Sequence, residues 1–109
     1  MNPFRRAAER YEAGVPWVRS VLTDRFGGHC LIGIMWGDYQ YAREDHTQEL
    51  LLLANVIGEQ YPAIAEIFPN TDGDDAIDRI VNANDELFTG KDDAVRMLEK
   101  AAVRWDERT

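Results

Sequence analysis

The stretch ELLLLANVIG, residues 49–58, decides the fold. Leu50, Leu53, Ala54 and Ile57, with Tyr61 beyond, recur at helical spacing and make one apolar face. Leu51, Leu52 and Val56 add apolar side chains on either side of it. A helix that is apolar nearly all round must be covered on most sides. It is either the central helix of a bundle or a helix that also meets a second subunit. A small bundle covers one face of such a helix and leaves Leu51, Leu52 and Val56 over. Pairing those three across a two-fold axis is the homodimer this pattern predicts. The run falls far short of the ~20 apolar residues that a membrane span needs.

Outward from that helix the chain reads as further helices. Asp45 or Thr47 can start it, and Pro62 breaks it before AIAEIF, a short helical turn that ends at Pro69. NTDGDD is a loop, after which Asp74 is placed to cap a helix with Ile77, Ile80, Val81 and Asn84 inward and Leu87 or Phe88 near its end. Thr89 with Asp92 three residues on has the form of a capping box for the last helix, whose stripe is Ala94, Val95, Leu98, Ala101, Ala102 and Trp105. At the other end, Asn2 followed by Pro3 starts a helix with Phe4, Ala7, Ala8 and Tyr11 on one face and Gly14 at its end. From Cys30 to Ala42 the spacing is again helical, through Leu31, Ile34, Met35 and Tyr39. Residues 17–28 fit a short β-arm or an irregular one. The fold class is all-α or nearly so, a small bundle of about five helices.

With 109 residues, 45% of them apolar and 29% charged, the chain reads as one globular domain over 1–109. The net charge of −8 is unevenly placed. Residues 1–43 carry six arginines against four acids, and residues 44–109 carry six basic residues against sixteen acids. Such an acidic half repels a phosphate backbone, so nucleic acid is not an expected partner. It suits solubility, a basic protein partner or, on charge alone, imitation of DNA. The acids are interleaved with Arg79, Lys91, Arg96 and Lys100, which a continuous phosphate-like ridge would not tolerate. The N-terminal segment is charged and helical with no apolar core, unlike a secretion signal, and a cytoplasmic protein that does not enter a membrane is expected.

One cysteine, Cys30, excludes an internal disulfide, and no Cys/His spacing suggests zinc. Asp72, Asp74, Asp75 and Asp78 lack EF-hand spacing, and FTGKDD lacks the glycine and hydroxyl positions of a phosphate loop. Neither a metal nor a cofactor is expected. Cys30 at a helix start could be a nucleophile with a lowered pKa, served by His46 as base and Asp85 as its orienter, since His29 is too close in sequence to turn onto it. The reading favoured here is packing: Gly33 and Gly37, four apart on one helix, would admit another backbone, with Cys30 as a small buried residue on that face. Asn84 takes an inward position among isoleucines, where its amide must find partners. It ties down a neighbouring loop or floors a pocket, and the first is favoured. Trp17, Trp36 and Trp105 read as core or interface anchors.

RRAAERYEAGVPWVRS, GGHCLIG and NANDELFTGKDDAVRMLEKAA together resemble a family of small actinobacterial and actinophage proteins known only as a domain of unknown function. Trp17, Cys30 with Gly33, Asn84 with Asp85, Thr89, and Ala101 with Ala102 fit its pattern. Ile34 and Ala83 depart from it, standing where alanine and an aromatic are usual. The resemblance implies a protein of the host cytoplasm, phage-encoded in some members, with no established activity. The expected function is non-enzymatic binding of a host protein or of a second copy, with a thiol-dependent enzyme as the alternative and a DNA-mimicking inhibitor behind it.

Overall fold

The computed structural model describes residues 2–108. Among them seven α-helices and one π-helical turn follow one another: α1 (Pro3–Glu12), α2 (Leu31–Trp36), α3 (Tyr39–Asp45), α4 (Thr47–Gln60), α5 (Pro62–Ile67), α6 (Gly73–Asn82), the π turn (Ala83–Leu87) and α7 (Lys91–Glu107). The fold is all-α. The arm that could have been a β-hairpin makes only isolated bridges, Trp17 and Thr23 each pairing with His29.

The first and last helices clasp each other antiparallel. Asn2 caps α1 by accepting from the N–H groups of Phe4 and Arg5, 3.0 and 3.1 Å away. Its amide also donates to Ala102 O at 2.7 Å and to Asp106 at 3.0 Å, so one side chain starts α1 and docks it on the end of α7. At the other end of the pair Lys91 Nζ donates to Tyr11 O at 3.1 Å. Phe4, Ala7, Ala8 and Tyr11 are all buried in this seam.

Helix α4 lies at the centre. Leu50, Leu53, Ala54, Val56 and Ile57 are buried, and Leu51 and Leu52 are half-buried against the same core. α3, α5, α6 and α7 all pack on it. Of the expected apolar surplus at Leu51, Leu52 and Val56, Val56 is only 2% exposed, and Leu51 and Leu52 keep part of their surface in solvent. Val56 faces α7, and on the Leu51 side the α5–α6 connection is hung on α4 by polar side chains. Asn70 Nδ2 donates to Leu51 O (3.0 Å) and to Asn55 Oδ1 (2.8 Å). Arg79, 6% exposed, reaches back from α6 to donate to Ala54 O (3.1 Å) and Phe68 O (2.8 Å). Gly58 makes room for it: a Cβ there would stand 2.6 Å from the guanidinium.

Several local expectations are corrected. The helix from Cys30 does not run to Ala42; it ends at Trp36, because Gly37 turns the chain at φ +87 and Asp38 caps a new helix through Tyr41 N–H at 2.9 Å. Gly33 and Gly37 thus do not form one face. A Cβ at Gly33 would lie 2.0 Å from Leu22 O, so the close backbone approach is real there, whereas Gly37 is needed only for its left-handed turn. The cap of α6 is Asp72, not Asp74, accepting from Asp75 N–H at 2.8 Å. Before α7 the side chain that meets Thr89 is Asp93, not Asp92; it accepts from Thr89 N–H (2.7 Å) and Oγ (2.8 Å), and Gly90 is the N-cap.

Candidate functional site

Cys30 is the N-cap of α2, and its sulfur accepts from Gly33 N–H at 3.5 Å. It is 5% exposed. Burial pushes its thiol above the ordinary value, against the pull of the Gly33 and Ile32 N–H groups, and the Asp85 carboxylate pushes the same way. Tyr11 and Tyr39 also stand within electrostatic reach of it, and burial raises both phenols. No base accompanies them. His46 sits at the α3–α4 junction, its Nδ1 2.6 Å from Glu49 and its ring against Trp36 and Tyr41. His46 Nε2 is buried without a hydrogen-bond partner. His29 bonds Thr23 at 3.0 Å, and burial lowers its pKa. The set Cys30, His46 and Asp85 is therefore not assembled: Asp85 approaches the thiol and His46 does not. A protonated, covered thiol with acidic neighbours is poorly prepared for nucleophilic attack.

Asn84 is the hub of the polar interior. It is 1% exposed and stands on the π turn that continues α6. Its Oδ1 accepts from the Trp17 indole N–H (2.7 Å) and from Leu31 N–H at the start of α2 (3.2 Å). Its Nδ2 donates to Val18 O (3.0 Å) and Asp85 Oδ1 (3.0 Å). Both lone pairs and both hydrogens are used, which leaves nothing for a ligand. Asp85 in turn accepts from the N–H of Ser20, which sits at φ +68. The loop tied down is the arm around Trp17–Ser20 together with the start of α2. Trp17, Cys30, Gly33, Asn84 and Asp85, separate pieces of the sequence, converge here, and the convergence is packing of an irregular arm onto helices.

The concave apolar surface lies on the far side of that turn. α5 forms one wall with Ile64, Ile67 and Phe68, the π turn forms the other with Leu87 and Glu86, and Tyr61 and Asn82 contribute to the lining. The groove encloses about 410 Å³, enough for two or three side chains. Ile67 is 70% exposed and Leu87 39% exposed at its edges. Glu86 is the carboxylate of its lining, and at the Tyr61 end the Arg96 side chain bonds the tyrosine. Arg79, behind Phe68, is buried and spent on backbone carbonyls. Sequence reasoning missed this site. Ile67 and Leu87 looked like ordinary members of short stripes, and only the meeting of α5 with the π turn sets them side by side.

Among the described residues no three His, Cys, Asp or Glu side chains come together as a metal site. No helix among the described residues is long and apolar enough to cross a membrane. No protein-family model, curated protein or solved structure matches the chain.

Proposed function

We propose that this is a small acidic protein that works in the cytoplasm by binding another protein, with the groove between α5 and the π turn as its contact surface. The observation that carries this is the groove itself: an exposed apolar concavity in a molecule whose other large apolar helix is covered. Exposed apolar surface of this kind, rimmed by polar groups, is where soluble proteins meet partners. The apolar lining with Glu86 at its edge favours an occupant with apolar side chains and one lysine or arginine beside them. The resemblance to phage proteins extends the proposal to an accessory factor acting on a host component. Against the thiol-enzyme reading stand the buried Cys30 and the distant His46; against DNA mimicry stands the absence of any observation beyond charge.

A photo-cross-linking amino acid at Leu87, in cells expressing the protein, tests the reading. A discrete adduct that disappears when Ile67→Asp is added is the expected result. Absence of any adduct at Leu87, with adducts forming instead from a surface position far from the groove, would overturn it.

A further inference from the structure

The arm presents the chemistry that the groove lacks. Phe26, at the tip of the Asp24–Gly28 turn, is 75% exposed, the most exposed large apolar side chain among the described residues. The turn that carries it is rigidly made. Asp24 Oδ1 accepts from Phe26 N–H (2.9 Å) and Gly28 N–H (2.8 Å). The Asp24 main chain pairs with Gly28 O at 3.0 Å and with Gly27 N–H at 3.3 Å, and Gly27 takes φ +83. An aromatic ring held in solvent by four hydrogen bonds has already lost much of the freedom that docking would otherwise cost. The Arg25 guanidinium lies 5.0 Å from the centre of that ring. Arg25 enters no ion pair among the described residues. The loop is thus an apolar anchor with a free cation beside it, in the half of the chain where arginines outnumber acids.

We infer that the Arg25–Phe26 turn of one copy docks in the α5–π-turn groove of a second copy. Phe26 enters between Ile67 and Leu87, and Arg25 meets the Glu86 side of the groove. Aromatic and arginine side chains in desolvated pockets are the residue types that carry binding energy at interfaces. The inference rests on the reading of the groove as a protein-binding surface and names its occupant. Turn and groove are different surfaces, so the contact is head-to-tail: each added copy leaves one turn and one groove free, and the assembly grows with concentration instead of closing at a two-fold dimer.

Sedimentation velocity over a range from low to several hundred micromolar tests this. The expected result is a mean mass that rises steadily with concentration. Phe26→Ser and Ile67→Asp should each lower the association constant at least about tenfold and leave a monomer. An equimolar mixture of the two variants should form a one-to-one dimer and nothing larger, because one intact turn meets one intact groove. Circular dichroism verifies that both variants are folded, and Leu87→Ser on the opposite wall replaces Ile67→Asp if that chain does not fold. A monomeric wild type throughout the range, association that survives Phe26→Ser, or a mixture that stays monomeric overturns the inference. A monomeric wild type whose cross-linker at Leu87 still captures another protein sinks self-docking alone; if that cross-linker also captures nothing, the groove reading falls with it.

Discussion

Helix α4 and the α5–π-turn groove are opposite outcomes of apolar composition. Residues 49–58 hold the densest apolar run in the chain, yet α3, α5, α6 and α7 pack around them and Val56 is almost fully covered. The groove draws on sparse residues from two short elements, yet Ile67 stays 70% exposed. Apolar density in a sequence measures how much surface must be covered. It says nothing of whether the fold covers it. Cover depends on where the other elements run, and here a segment pinned by Asn70 and Arg79 lies on the Leu51 side of α4 while α7 lies by Val56.

The contrast can be broken most forcefully from inside. Leu53→Ala, at a fully buried position of α4, should cost about 2–5 kcal/mol in chemical denaturation through lost burial and a residual cavity. A cost below about 1 kcal/mol would mean that α4 is not enclosed as described.

The cover over α4 should prove separable from its core. Arg79→Met keeps much of the stem's volume but leaves Ala54 O and Phe68 O without their donors. About 1–3 kcal/mol should be lost. Amide exchange should quicken along the 68–72 segment more than in the α1–α7 seam. Uniform loss across the molecule would show that the cover and the core are one cooperative unit.

A smaller effect is expected at the start of α7, which closes another side of α4. Asp93 is held below the usual carboxylate range, first by the Thr89 N–H and then by the Thr89 hydroxyl and Arg96, against the opposing effect of burial. A depressed folded-state pKa gives stability that is present above the unfolded value, near pH 4, and is lost as pH falls through the folded value. Asp93→Asn should therefore cost about 1 kcal/mol at neutral pH. The gap to wild type should shrink in acid. A gap that is constant from pH 7 to about 3 would remove Asp93 from the acid response.

Much of this fold can be read in the letters, and the reasons are local. Asn2–Pro3 and the stripe Phe4, Ala7, Ala8 and Tyr11 specify α1 because cap and periodicity agree. The stripe of α7 is equally plain. Gly37 misled because a glycine inside an apolar pattern reads the same whether it stays helical or takes φ +87. Asp72 and Asp74 are both competent caps two residues apart, and the letters alone do not separate them; the helix starts at Gly73 with Asp72 as its cap. At the candidate sites, Asn84 was legible as a buried amide because an asparagine among isoleucines has to be bonded. Its partners Trp17 and Leu31 are far away in sequence and had no local signal. The π turn had none either, and it is the π turn that forms a wall of the groove.

Thermal unfolding of Leu52→Glu beside Ile67→Asp tests the central contrast most directly. Leu52 is half-buried against the core and Ile67 is mostly in solvent. Leu52→Glu should lose several degrees of melting temperature or fail to fold, since its carboxylate would sit against the core. Ile67→Asp should melt within about 0.5 kcal/mol of wild type. A Leu52→Glu chain that melts like wild type while splitting a dimer, with Ile67→Asp unfolded, would contradict it: α4 would then be the open surface and the groove part of the core.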